Sequence, residues 1–138
     1  MQPSDLVIAH ALALELSQLA GDIIKSNLTL GISRTWKSDH TPVTEVDQQI
    51  NQLVLDKIKA VFPTHNILAE EGSNLGHQSP YTWVCDPIDG TFPFMHGIPV
   101  STFTLSLVQD GVPILGIIYD PFQDRLFESV YGEPTLLT

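Results

Sequence analysis

Cysteine occurs once in the 138 residues, at Cys85. A lone thiol excludes a disulfide framework and a cysteine-rich zinc centre, and it fits a reducing cytosol, so the expected location is cytoplasmic. Basic residues are nearly as scarce: 6 Lys and Arg stand against 16 Asp and Glu, for a formal charge of -10. Such a surface repels phosphate backbones and anionic lipid, which argues against nucleic acid and membrane partners and leaves cations as the natural counterpart. Low-complexity tracts and internal repeats are also lacking. With 43% hydrophobic and 16% charged residues the composition is globular, and the length suits one ordinary domain, so residues 1–138 are expected to fold as a single unit. The opening stretch MQPSDLVIAHALALELSQLA is apolar but has no basic leader, and His10, Glu15, Ser17 and Gln18 interrupt it. It is therefore read as neither a signal peptide nor a membrane span.

What is present reads as helices first and strands afterwards. Ser4 can cap a helix over about residues 5–26, with Leu6, Ala9, Ala13, Leu16, Ala20 and Ile23 at helical spacing and Asn27 as a stop. A loop containing Gly31 and Pro42 leads to a second helix, capped by Thr44 and ending near Phe62 before Pro63. Its apolar stripe is Val46, Ile50, Leu53, Val54, Ile58 and Val61; Gln48, Gln49, Gln52, Asp56 and Lys59 form a solvated face. Short strands follow at about 67–69 and 82–85, each ending in acids. From Val100 onward STFTLSLV, VPILGIIY and RLFESV read as strands joined by turns at Asp110-Gly111 and DPFQD. The expected class is α+β, two N-terminal helices packed on one face of an antiparallel sheet.

The acids carry the chemistry. Taken alone, DPIDG at 86–90 is a pair of turn dipeptides and most such stretches are turns. Three other features shift the weight. ILAEE puts Glu70 and Glu71 at a strand end, where adjacent carboxylates repel unless a cation is near. TPVTEVD puts Asp47 in the first turn of the second helix, and Lys37 precedes it in a loop. Singly, Glu71 reads as solvent-facing, Asp47 as a complement to the helix dipole and Lys37 as a surface residue. Together, acids at three element ends point to a hard cation held by oxygen ligands, magnesium or calcium rather than zinc. Asp86, Asp89 and Glu70 supply the few carboxylates that magnesium takes beside a substrate phosphate. Gly90 allows close approach of that phosphate to the following amides, and Thr91 offers a hydroxyl to orient a water. Phosphate ester hydrolysis follows. Other phosphatase chemistries fail on the letters: the position two before Asp89 is Pro87, not an aspartyl nucleophile, and the position six after Cys85 is Thr91, not arginine. The five histidines are scattered and read as loop or core residues.

The Glu70-Glu71 pair followed by WVCDPIDGT resembles the inositol monophosphatase family, in the wider superfamily of lithium-sensitive, magnesium-dependent phosphatases. TPVTEVDQQINQLVLDKIKAVFPTHNILAEEGS is similar to that family's first segment and GIIYDPFQDRLFESVYG to its later strands. The resemblance implies the first half of a layered α/β/α/β/α sandwich. It implies magnesium on Glu70, Asp86, Asp89 and the carbonyl of Ile88, phosphate on Asp89, Gly90 and Thr91, and a water nucleophile positioned by Thr91 and Asp47, with Glu70 also at the reacting centre. Glu71 and Lys37 have looser links. Phe92 and Pro93 replace the Thr-Asn that members usually carry after the DGT, and YGEPTLLT lacks the usual Gly-rich ending.

The resemblance ends where a typical member is half finished, before the second half's W-D aspartate and its substrate-selecting groups. A lone first half would leave apolar sheet uncovered, which implies self-association into a dimer or higher homo-oligomer, or a partner that supplies the missing half. The expected activity is a phosphomonoesterase on a small phosphorylated metabolite, an inositol or sugar phosphate. The alternatives are fructose-1,6-bisphosphate or a phosphoadenosine phosphate as substrate, and a non-catalytic metal-binding relative with a structural or regulatory role.

Overall fold

The computed structural model describes residues 1–28, 34–36 and 42–138. In chain order the elements are α1 (Pro3–Asn27), β1 (Arg34–Trp36), β2 (Pro42–Thr44), α2 (Glu45–Val61), β3 (Asn66–Ala69), β4 (Tyr81–Asp89), α3 (Thr91–Met95), β5 (Thr102–Gln109), β6 (Val112–Asp120), β7 (Arg125–Val130) and β8 (Leu136–Leu137). Where the sequence reads as a plain loop, β1 and β2 pair antiparallel as a ribbon. The other strands form one six-stranded sheet in the order β3-β4-β5-β6-β7-β8, with α1 against β5 and β6, and α2 against β4. The α+β class is as expected, with one refinement. The sheet is mixed, because β3 runs parallel to β4 while every other neighbouring pair is antiparallel.

Local chemistry explains the boundaries. α1 starts earlier than Ser4 would allow: Pro3 presets the first helical position, and the Asp5 carboxylate accepts the Gln2 amide at 3.2 Å, so Gln2 is the cap. At the far end Asn27 donates to the Ile23 carbonyl at 2.8 Å and the helix stops there. By length and composition α1 could cross a membrane. Its apolar stripe is nevertheless packed inside the fold, with Ala9, Leu12, Ala13, Leu16, Ala20 and Ile24 buried and Ile24 taking the place expected of Ile23. On α2 the buried stripe is Val46, Ile50, Val54, Leu55 and Ile58, and Val61 turns out to solvent.

Two contacts fix how the layers meet. At Gly21, α1 comes so close to β6 that a Cβ would stand 2.3 Å from the Tyr119 ring, and that ring is held by its hydroxyl donating to Asp124 at 2.9 Å. Behind β4, Trp83 is fully buried and its indole N–H donates to Nδ1 of His65 at 3.1 Å. The His65 ring is stacked between Phe62 and Tyr81, at centroid distances of 4.6 and 4.8 Å. An Nδ1 that accepts belongs to a neutral imidazole, and burial accordingly holds the His65 pKa below its ordinary 6.5 against a smaller opposing pull from Asp5.

These contacts give two expectations. Alanine at position 21 gains about 1 kcal/mol of helix propensity and loses about 1–3 kcal/mol to overpacking. Gly21→Ala should therefore lower the thermal midpoint, and trimming the ring with Tyr119→Ala in the same chain should cost less than the two single changes together. For His65 the folded pKa lies below the unfolded one, so the unfolded chain binds more protons: stability is full above about pH 6.5 and is lost as pH falls toward the folded value. Thermal melts of wild type and His65→Phe between pH 7.5 and 5.5 should show this as a difference: His65→Phe is the less stable at pH 7.5, because the Trp83 N–H loses its acceptor, and the gap narrows toward pH 5.5, while the opposite gain from Asp86, whose carboxyl is pushed up to about 8, is common to both chains.

Candidate active site at the ends of β3 and β4

The parallel pairing of β3 with β4 makes the site. Ala69 sits beside Cys85, so Glu70, the first residue past β3, comes beside Asp86 near the C-terminal end of β4, and the Glu70 amide donates to the Cys85 carbonyl at 3.3 Å. An antiparallel pair would have sent Glu70 to the opposite end of β4. In a regular strand, moreover, two residues three apart point to opposite faces. Here Asp86 pairs with Thr104 and Asp89 with Thr102, so three steps on β4 span two on β5. The extra residue is a β-bulge at Pro87 and Ile88, where a residue without an N–H costs the ladder nothing. Because Thr102 and Thr104 share a face, Asp86 and Asp89 share it too.

The acid on α2 reaches the same place. Asp47 is buried, 1% exposed, and both its oxygens are engaged. Its Oδ2 accepts the Thr44 amide at 3.0 Å and the Thr44 hydroxyl, while the Asp47 amide donates to Thr44 Oγ1 at 3.3 Å. This reciprocal cap orients the carboxylate so that Oδ1 accepts the Thr91 hydroxyl at 2.8 Å; Thr91 Oγ1 also lies 3.1 Å from the Ile88 carbonyl. Gly90 turns the chain into α3 at φ 95°, a left-handed conformation, and its carbonyl accepts from Ser101 at 2.7 Å. A Cβ at Gly90 would crowd Ser101 and Pro93 at 3.3 and 3.4 Å, so glycine is required twice over.

Electrostatics follow from the crowding. The Asp86 carboxyl is pushed up to about 8, first by burial, then by a hydrogen bond with Glu70, then by the like charges of Glu70, Asp89 and Asp47. Its Oδ1 is buried without a hydrogen-bond partner, which is costly for a carboxylate unless a cation serves it. Cys85, one residue earlier, faces the core, and burial with the nearby charges of Asp86 and Glu70 pushes its thiol far up, so it is inert. Among the described residues no group of three His, Cys, Asp or Glu side chains is disposed to hold a metal ion by itself. The donor set is nonetheless all oxygen, with one orphaned carboxylate oxygen and a raised acid at its centre, and that chemistry fits a hard divalent cation.

Glu70, Asp86, Asp89, Asp47, Gly90, Thr91 and Ile88 thus come together. Glu71 is half-buried in the turn after β3, and Lys37 lies outside the described residues. Sequence reasoning missed three supporting groups. Thr44 was expected as a cap but not as the residue that aims Asp47; the T-x-x-D spacing would have given it. Ser101, fully buried against Gly90, and Asn51, whose side chain donates to Gly72 at 3.1 Å and ties α2 to the loop after Glu71, carry no sequence signal.

The sequence profile of the inositol monophosphatase family matches residues 6–138. An inositol-1-monophosphatase from Synechocystis is 42% identical over 88 residues, which are 63% of this chain and 31% of that protein. Inositol monophosphatase 2 of Solanum lycopersicum is 32% identical over 130 residues, 91% of this chain and 49% of that protein. The solved inositol monophosphatase from Anabaena superposes with a TM-score of 0.80 at 32% identity, over 96% of this chain and 48% of that one. This chain therefore spans about half the length of the family proteins that it matches along most of its own length. The fold, the acids at its strand ends and these likenesses lead to one conclusion: the chain belongs to the inositol monophosphatase family.

Proposed function

We propose that this chain carries the metal-binding part of a magnesium-dependent phosphomonoesterase that hydrolyses a small inositol or sugar phosphate with water as nucleophile. The observation that carries the reading is the buried Thr91–Asp47 hydrogen bond set beside the crowded carboxylates of Asp86, Glu70 and Asp89. Glu70, Asp86, Asp89 and the Ile88 carbonyl would hold magnesium, which when bound offsets charge on the phosphate and the leaving oxygen. Because the Thr91 hydroxyl donates to Asp47, its oxygen keeps lone pairs that would accept from a water. Thr44 fixes the other Asp47 oxygen, so the pair cannot rotate away.

The water oxygen forms a bond to phosphorus in line with the ester oxygen; the ester P–O bond breaks, and the departing alkoxide takes a proton from solvent. The attacking water passes its proton to Thr91 as the Thr91 hydroxyl proton moves to Asp47. Gly90 keeps side-chain bulk away from the phosphate, and the amides of Thr91 and Phe92 would face it; Pro93 contributes no third donor. A reducing, cytoplasmic setting goes with the reading, supported by the single inert thiol of Cys85.

Phosphate release from inositol-1-phosphate in magnesium buffer tests the proposal. Thr91→Val and Asp47→Asn should each lower kcat by about 100-fold or more, in the range of a lost proton-transfer group, and the double change should cost little beyond either one because the pair acts as a unit. Thr91→Ser should keep most of the activity. Magnesium binding with no turnover on any inositol or sugar phosphate would replace the enzyme reading with that of a non-catalytic metal-binding relative.

A further inference from the structure

The turn that carries Glu70 is held in two ways. It is first closed on its own strand: the Ala69 amide donates to Ser73 Oγ at 3.0 Å, the Ser73 hydroxyl donates to the Ala69 carbonyl at 3.2 Å, and Ile67 and Asn74 exchange amide-to-carbonyl bonds at 2.9 and 2.8 Å. These contacts join β3 to its own continuation and leave open where the turn sits against α2. The second tie settles that. Asn51 Nδ2 donates to the Gly72 carbonyl at 3.1 Å, across 21 residues of sequence. Gly72 takes φ 138°, a conformation that side chains disfavour, so the path that offers this carbonyl to α2 depends on glycine.

Asn51 is a poor choice for stability. It follows Asp47 by four residues on α2, so the two side chains lie on one face of the helix. It is 4% exposed, in a helix whose neighbouring Ile50, Val54 and Leu55 are buried and apolar. Its Oδ1 is buried without a hydrogen-bond partner, a cost that leucine would not carry, and leucine is also the better helix former. Gly72 is exposed, so water would serve its carbonyl if the amide were gone. What the amide supplies is a fixed place for the turn that carries Glu70, relative to the helix that carries Asp47.

We infer that Asn51 is a positioning residue of the cation site: its amide pins the turn two residues beyond Glu70 to α2, and so keeps the Glu70 carboxylate beside Asp86. Among acids that repel one another, a turn without this tie would relax outward and take Glu70 with it. The metal-free chain would lose nothing by that relaxation, whereas binding a cation would require the turn to be brought back. Groups that orient a ligand without touching the metal act in this way, and removing one costs about 10–100-fold in affinity. The inference rests on the magnesium reading proposed above and adds to it a residue outside the acid set.

Calorimetric titration with magnesium alone, without any phosphate ester, reads the role. Asn51→Leu should weaken magnesium binding about 10-fold or more, while its metal-free thermal midpoint stays within about 4 °C of wild type. Glu70→Gln should weaken binding as well, and adding Asn51→Leu to Glu70→Gln should then cost little more, because no carboxylate is left to position. Asn51→Ala makes the same test without the bulk of leucine. Unchanged affinity in both Asn51 variants overturns the inference, as does a Glu70→Gln chain that binds like wild type. An equal loss with and without Glu70→Gln, or loss of the fold in both Asn51 variants, also overturns it, since either makes Asn51 a general structural residue. Wild type that binds no magnesium sinks the proposed function and this inference together; firm wild-type binding with unmoved Asn51 variants sinks the inference alone.

Discussion

Repulsion among carboxylates is the constraint on which the site depends. β3 ends beside Cys85 so that Glu70 meets Asp86 within β4, a bulge turns Asp86 and Asp89 to one face, and burial together with Glu70, Asp89 and Asp47 holds the Asp86 carboxyl well above the ordinary carboxylate range. A fold shaped by stability alone would not set the exposed carboxylates of Glu70 and Asp89 and the buried one of Asp47 around a half-buried Asp86. The arrangement is intelligible when a divalent cation is the missing partner, and the rest of the structure holds the acids in place against their repulsion. The Thr44 cap, the Thr91 hydrogen bond and the Ser101–Gly90 contact are short-range links that keep α2, β4 and α3 from relaxing apart.

The core that supports this is built from periodicity and close approach. α1 contributes a stripe of small and aliphatic residues, Gly21 lets it settle onto Tyr119, and His65 satisfies the one polar atom of Trp83. The opposite sheet face has no comparable cover within this chain among the described residues. Its apolar row of Ile118, Phe127 and Leu137 is continuous with Asp86.

Much of this was legible in the letters. Helical spacing gave α1 and α2 almost to the residue, and β-branched runs broken by Asp-Gly gave β5 and β6, because in both cases the pattern that defines the element is local. The acids of DPIDG and Glu70 are legible as candidates at element ends, and the fold brings Glu70 and Asp89 to Asp86, whereas Glu71 is not among the acids that act on Asp86. What stayed hidden was non-local. The direction of β3 depends on a connection that leaves no periodicity, yet that direction is what brings Glu70 to Asp86. The bulge at Pro87 and Ile88 depends on pairing with β5, and the ribbon of β1 and β2 on a partner six or more residues away. From its local letters Asp47 reads as a dipole complement, and its tie to Thr91, 44 residues on, is legible only through the family resemblance.

The central claim is that a cation relieves the repulsion around Asp86, and thermal stability of this chain with and without magnesium tests it most directly. Wild type should gain several degrees at saturating magnesium, since a ligand at 100 times its Kd adds about 2.7 kcal/mol. Asp86→Asn should melt higher than wild type without magnesium, because one of the crowded charges is gone, and should gain nothing when magnesium is added. An Asp86→Asn chain that melts lower without metal, or that keeps the full magnesium gain, would contradict the account.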